Sequence, residues 1–166
     1  IVHHGEDYAT TWAEGLEINL ARKPEGGDRD QVKAIAAGEC DIALGNTYYI
    51  GQMLADPEQQ AAAEAVTIVF PVFEGSGTHL NISGIAMTKA APNHDNALKF
   101  MEWLASDTAQ KIYAETNYEF PVKAGVATSD LVASWGSFTA DTTPLADIAA
   151  ARPTALKIME TVDFDG

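Results

Sequence analysis

The sequence predicts an α/β domain, and three features indicate this class. Short β-branched segments, above all residues 66–71 (Val-Thr-Ile-Val-Phe-Pro), alternate along the chain with amphipathic helical segments. The chain has 166 residues, of which 46% are hydrophobic and 20% charged, so it has enough apolar side chains to bury a core. No internal repeat or low-complexity segment interrupts this alternation.

Helices are expected in the first third of the chain from periodicity and capping residues. Apolar side chains recur every four residues between positions 6 and 21, which predicts one amphipathic helix there. Asp28 is the expected N-cap of a second helix, and Asn46 or Thr47 that of a third. Pro57 stands at the first position of an expected fourth helix.

Extended segments are expected between these helices and after them. Residues 41–44 are mostly apolar and predict a short buried strand, with Cys40 at its head as a small buried hydrophobic residue. Residues 66–71 predict a second strand, and the glycine-rich stretch 74–78 predicts a turn. Residues 79–87 return to an extended pattern.

The second half of the chain is predicted to be mainly helical. Asn93 and Ser106 are the expected N-caps of two successive helices, the second of which ends near Asn117. Pro144 and Pro153 are both interpreted as first-turn residues of C-terminal helices, because proline suits that position.

The charge balance limits the classes of partner. Ten basic and 24 acidic side chains give a formal net charge of −14. Such a surface repels nucleic-acid phosphates and anionic lipid headgroups, so no nucleic-acid partner is expected and a cation is the more natural ligand. The single cysteine, Cys40, cannot form an internal disulfide or a cysteine-rich zinc site.

The candidate ligand-binding residues are the adjacent Tyr48 and Tyr49, at a predicted strand-to-helix junction. In open α/β sheets, ligands gather beyond the carboxyl ends of the strands, where helix N-termini favour anionic oxygens. A phenol is neutral at pH 7, but a bound trivalent cation can convert it to phenolate, a hard oxygen donor suited to ferric iron. From the residues alone, a second interpretation stays open, in which both rings are half-buried and their hydroxyls face water.

Neither the histidines nor the sequence motifs predict a catalytic site. His3 and His4 are expected to be solvated or lightly packed, His79 is a strand or cleft residue, and His94 starts a helix. The sequence has neither a His-Glu-x-x-His zinc signature nor a Gly-x-Ser-x-Gly nucleophile elbow, so we do not expect an enzyme. A hydrolase built on His3, His4 and an acidic residue is the weakest alternative.

Residues 31–49 resemble the ferric-iron substrate-binding proteins of bacterial ABC importers. In that family a helix and a Gly-x-Cys/Ala-Asp strand lead into an Asn-x-Tyr-Tyr metal motif. Here the corresponding residues are Gly38-Glu39-Cys40-Asp41 and Asn46-Thr47-Tyr48-Tyr49. The resemblance covers nearly the whole chain in order, and it continues through residues 77–84, 97–113 and 118–122.

The resemblance implies a type II-like periplasmic binding protein of the transferrin-like kind, in which two α/β lobes joined by hinge strands close on one Fe(III). Tyr48 and Tyr49 take the position of the paired tyrosinate metal ligands, and a synergistic anion such as carbonate would accompany the ion. Only the C-terminal portion would be present. Residues 1–78 would form the second lobe, residues 79–131 the hinge crossing and part of the first lobe, and residues 132–166 the C-terminal helices of the second lobe.

The function implied is that of a periplasmic, extracytoplasmic solute-binding protein. It would capture Fe(III) through tyrosinate ligands and deliver the ion to an inner-membrane ABC permease. The remaining metal ligands would come from a missing N-terminal part of the same protein. The alternative is a binding protein of the same fold for an organic or oxyanion solute, with Tyr48 and Tyr49 as hydrogen-bond donors or stacking surfaces.

Overall fold

The computed structural model describes residues 1–72 and 76–164, and the regular structure in these residues is helical. A π-helical turn, Tyr113–Asn117, continues the sixth helix, and the one β-type pairing in the described residues is an isolated parallel bridge between Thr78 and Ala140. The α-helices are α1 (Glu6–Ile18), α2 (Asp28–Ala36), α3 (Tyr48–Leu54), α4 (Gln60–Glu64), α5 (His94–Leu104), α6 (Asp107–Ile112), α7 (Asp130–Ser134) and α8 (Leu145–Thr161).

The expected strands, hinge strands included, are not formed within residues 1–72 and 76–164, where the regular structure is helical. Residues 41–44, 66–71 and 79–87 carry no strand pairing. Ile42 and Leu44 are 84% and 70% exposed instead of buried. Strand formation needs a partner for each backbone N–H and C=O, and no described segment supplies one here. Cys40 is accordingly half-buried, and the turn predicted at 74–78 lies partly outside the described residues.

Two helix boundaries in the first half differ from the predicted ones. α1 ends at Ile18, three residues early, because the chain tightens into a turn in which the Asn19 N–H donates to the Leu16 carbonyl at 3.1 Å. Gly27, and not Asp28, precedes α2, and the Asp30 carboxylate accepts the Gly27 N–H at 2.8 Å. The Asp28 side chain is thereby left to contact another segment.

The prolines also take other positions than expected. Pro57 lies in a turn before α4, since the Asp56 carboxylate accepts the Glu58 N–H at 3.0 Å and closes that turn. Pro144 directly precedes α8, but Pro153 lies inside this helix. α8 packs against α1, and this packing offsets the backbone hydrogen bond that a proline nitrogen cannot make.

The second-half helices follow the prediction more closely. Ser106 caps α6 as expected, because its Oγ accepts the Ala109 N–H at 3.3 Å. The helical structure ends at Asn117, also as expected. Asn93 stands in front of α5, although its side chain makes no cap hydrogen bond. In the described residues no helix is both long and apolar enough to cross a bilayer.

The core that positions α3 is formed by neighbouring helices. α3 packs against α2, α4 and the π-helical turn. Met53 of α3 is fully buried, and Gly51 lies against the Tyr118 ring. A Cβ atom at Gly51 would lie 2.3 Å from the Tyr118 Cγ, and Tyr118 itself has a φ of 59°. Glycine is therefore needed at position 51 for the close approach of α3 to Tyr118.

Replacing Gly51 tests this contact. In the full-length protein we expect Gly51→Ala to lower the free energy of unfolding by about 1–3 kcal/mol, because the added methyl group overlaps the base of the Tyr118 ring. The measurement is the urea unfolding midpoint. Gly15→Ala in α1 is the matched control: of the described residues, none lies within 4 Å of a Cβ there, so we expect it to stabilise by about 0.5–1 kcal/mol. Equal midpoints for Gly51→Ala and the wild type would contradict the close contact.

A polar cluster joins His3, near the start of the chain, to Asp141 and Thr143, which precede α8. The Asp141 carboxylate lies 2.8 Å from His3 Nε2 and accepts the Thr143 hydroxyl at 2.7 Å. The Thr143 hydroxyl also lies 2.9 Å from His3 Nε2. Hydrogen bonds from Thr143 and His3 lower the pKa of Asp141 from 3.8 to about 2. His3 is exposed, in keeping with the expectation, but its partner Asp141 is too distant in the sequence to have been foreseen.

The cluster predicts a pH-dependent contribution to stability. Because the folded-state pKa of Asp141 is lowered, its contribution is present above pH 4 and is lost as the pH falls towards 2. We expect the urea midpoint of Asp141→Asn to lie below that of the wild type at pH 6, and the difference to shrink as the solution is acidified. His94→Ala, which removes the exposed His94–Asp95 pair, is the control and should leave the midpoint unchanged. A difference that is constant from pH 6 to pH 3 would contradict the assignment.

Candidate metal-binding site

The structure brings the two predicted ligands together at the start of α3. The ring centroids of Tyr48 and Tyr49 are 4.4 Å apart at an interplanar angle of 37°. Both residues are half-buried. They occupy the first turn, where no preceding helical turn separates side chains that otherwise diverge by roughly 100°. The two phenol rings therefore lie side by side at the start of α3.

The surroundings raise the pKa of Tyr48. The hydrogen bond with Tyr49 is the largest influence that raises the pKa of Tyr48 to about 12, followed by burial and by the charges of Tyr49, Asp28 and Glu119. The helix N-terminus thus does not by itself produce a phenolate, contrary to what its partial charge suggests. A nearby cation has the opposite effect, because it stabilises phenolate and is attracted by the two carboxylates.

A cavity opens beside Tyr49 and carries charges of both signs. The Arg29 guanidinium carbon lies 5.8 Å from the Tyr49 ring centroid, and this side chain also donates a hydrogen bond to Gln52 at 2.7 Å. The positively charged Arg29 side chain therefore holds the Tyr49 ring on the α2 side of the site. The cavity has a volume of about 480 Å³ and is lined by Gly27, Asp28, Arg29, Asp30, Lys33, Tyr49, Glu58 and Gln59.

The turn in front of the tyrosines is anchored by residues that the sequence did not suggest. Asp28 Oδ2 accepts the backbone N–H of Asn46 at 2.7 Å and its side-chain amide at 3.0 Å. The side-chain oxygen of Asn46 in turn accepts the Asn81 amide at 2.8 Å. Asp28 and Asn46 are eighteen residues apart, and no local pattern connects such positions. The sequence-based assignment of Asp28 as a helix cap missed this contact.

A second carboxylate, Glu119, reaches the site from the end of the π-helical turn. Its two oxygens accept hydrogen bonds from the Asn117 amide at 2.5 Å and from the Ser83 hydroxyl at 3.3 Å. The charge of Glu119 acts on Tyr48, as described above. The segment before Pro121 thus contributes charge to the site. Its sequence pattern had predicted only an extended conformation.

The histidines lie elsewhere. His3 binds Asp141, His4 stacks on Tyr8 with ring centroids 4.7 Å apart, and His94 lies beside its sequence neighbour Asp95. His79 lines a separate cavity of about 120 Å³. Within residues 1–72 and 76–164 no three His, Cys, Asp or Glu side chains are grouped so as to hold a metal ion. The tyrosine pair is therefore the candidate that the described residues offer for a hard cation.

Comparisons with known proteins agree with one another. Residues 6–140 match the family of bacterial extracellular solute-binding proteins. The chain is 47% identical over 161 residues to iron uptake protein A1 of Synechocystis, an alignment covering 96% of the chain and 45% of that protein. It superposes on the apo ferric ion-binding protein A of Pasteurella haemolytica with a TM-score of 0.96 at 51% identity, covering 99% of the chain and 51% of that protein.

A further structure is that of Trichodesmium IdiA (FutA) in complex with iron and citrate ligands, with a TM-score of 0.89 and 44% identity, covering 97% of the chain and 52% of that protein. The chain thus spans about half the length of the relatives it matches. Because the family match covers most of the chain, the protein belongs to the bacterial extracellular solute-binding proteins, and these relatives are iron-uptake and ferric-binding members.

Proposed function

We propose that this chain is the tyrosine-bearing, C-terminal part of a periplasmic protein that captures Fe(III) and delivers it to an inner-membrane ABC permease. The observation that carries the proposal is the close ring contact between Tyr48 and Tyr49 at the start of α3. The likeness to ferric-binding proteins supports it, because those proteins are similar to the chain over nearly its whole length. Solute-binding proteins hold their cargo without changing a covalent bond, so no catalytic group is required.

The chemistry of the pair suits a trivalent ion. The two rings lie side by side, and each hydroxyl becomes a hard anionic donor when its proton leaves. Asp28 and Glu119 add negative charge nearby, which disfavours phenolate in the empty site but offsets the positive charge of a bound ion. A ferric ion takes more oxygen ligands than two phenolates supply. The others would come from a synergistic anion such as carbonate and from the N-terminal part of the protein.

The lobe assignment is part of the proposal. Residues 1–78 and 132–166 would form one lobe, with residues 79–131 crossing to the other. The parallel bridge between Thr78 and Ala140 supports a crossing beside Thr78. The chain would cross back to the first-named lobe near Leu131, at the end of residues 79–131. A hinge strand at that place has no such support, because Leu131 lies in α7.

One observation favours the alternative cargo, an organic or oxyanion solute. Arg29 and Lys33 line the cavity beside Tyr49 and would attract an anion. Asp28, Asp30 and Glu58 line the same cavity, however, and they oppose it. Titration calorimetry of the full-length protein with ferric citrate and, separately, with inorganic phosphate distinguishes the two functions. Heat with phosphate alone would favour the alternative.

Removing both phenols tests the proposed ligands. In the full-length protein loaded with Fe(III), we expect a visible phenolate-to-iron charge-transfer band, and we expect Tyr48→Phe with Tyr49→Phe to abolish it. The two substitutions keep the rings and remove only the donor oxygens. Tyr8→Phe in α1 is the control, because Tyr8 is exposed and stacks on His4, away from α3. A band of full intensity in the double variant would contradict the proposed ligands.

Iron binding should release protons from the pair. A phenol is protonated at pH 7, and the pKa of Tyr48 is raised to about 12, so ligation must displace its proton. We therefore expect Fe(III) affinity to fall as the pH falls. Calorimetry in two buffers of different ionisation enthalpy measures the protons released. Tyr48→Phe should release about one proton fewer per Fe(III) than the wild type, and an unchanged number would contradict ionisation of Tyr48.

A further inference from the structure

We propose that Asp28 is a positioning residue for the tyrosine pair, which it holds in place through the Asn46 turn. This inference rests on the proposed function, because it assigns a role in iron binding to a residue that does not itself contact the ion. It deepens that function by naming what keeps the two phenols at one place.

The contact is specific in geometry. One carboxylate oxygen, Asp28 Oδ2, accepts two hydrogen bonds from Asn46, at 2.7 Å from the backbone nitrogen and at 3.0 Å from the side-chain nitrogen. Both residues are half-buried. Gly45, just before the turn, fits closely as well, since a Cβ atom there would lie 3.4 Å from the same oxygen. Asn46 lies two residues before Tyr48, so its position determines where α3 begins.

α3 depends on such an anchor. It has only seven residues, and the side chain of Thr47 in front of it makes no cap hydrogen bond among the described residues. A helix this short is not stable by itself in water. The Asp28 carboxylate fixes the residue that precedes the N-cap, and the Asn81 amide holds the other side of Asn46 at 2.8 Å. The turn is thus held between α2 and the segment that follows Thr78.

α2 is a suitable base for this role. It has nine residues, and it packs against both α3 and α4. Binding sites need their ligands held to within about half an ångström, which elements packed together achieve better than free loops. A hydrogen bond to a charged group is also stronger than a neutral one. Asp28 therefore transmits the rigidity of α2 to the phenol oxygens of the first α3 turn.

The test compares variants of the full-length protein loaded with Fe(III). We expect Asp28→Ala to lower Fe(III) affinity by about 10- to 100-fold and to shift or weaken the charge-transfer band, because the Asn46 N–H loses its acceptor. Asp28→Asn keeps an acceptor oxygen and should restore the band position and most of the affinity. Asp147→Ala is the control, since Asp147 is an exposed acid in the first turn of another helix. It should behave as the wild type does.

The outcomes separate this inference from the proposed function. The positioning role is overturned if Asp28→Ala has the same charge-transfer band and the same Fe(III) affinity as the wild type. It is also overturned if Asp28→Asn is as impaired as Asp28→Ala, because the charge of Asp28 and not its position would then matter. If the wild type and Asp147→Ala also fail to bind Fe(III), it is the proposed function that fails.

A second measurement does not depend on the folding of Asp28→Ala. Hydrogen exchange of the Asn46 amide in the wild-type protein should be slow, because Asp28 accepts this N–H. Exchange at the rate of a free amide would overturn the positioning role whatever the variants do.

Discussion

The close contact between two adjacent phenol side chains is the interaction on which the candidate site depends. It brings two weak acids into contact and makes the first proton harder to remove, so that Tyr48 is a neutral phenol when no ion is bound. The nearby carboxylates act in the same direction. Only a ligand with a large positive charge compensates for the loss of both protons, and a monovalent or divalent ion compensates less. Under the proposed function, the same feature that makes the Tyr48 proton hard to remove would favour a highly charged cation.

The position of this pair is a consequence of packing and not of helix propensity. α3 is a short helix, and it is held by α2 and α4 on one side and by the π-helical turn with Tyr118 on the other. The absence of a side chain at Gly51 permits that second contact. Asp28 and Asn46 then connect the first turn to α2. A site built on such a helix is only as rigid as the elements around it.

The extended segments show that the secondary structure preferred by the sequence can differ from the structure that is formed. Residues 41–44, 66–71 and 79–87 have the β-branched and apolar composition of strands, and nevertheless carry no strand pairing in the described part of the chain. Composition describes which surface a segment can cover, whereas a strand exists only where a neighbouring backbone completes its hydrogen bonds. Without such a neighbour, apolar side chains such as Ile42 and Leu44 lie exposed.

Local sequence determined the features whose cause is local. The Ser106 cap, the end of the helical structure at Asn117 and the adjacency of Tyr48 and Tyr49 at the start of a short helix all follow from neighbouring residues. The motif around the tyrosines was sufficient to indicate the family. Tertiary structure alone decided the remainder. It placed Asp28 on Asn46, Tyr118 on Gly51 and Asp141 on His3. These contacts join residues far apart in the chain, and which distant groups meet is set by the packing of whole helices, for which no single segment carries the pattern.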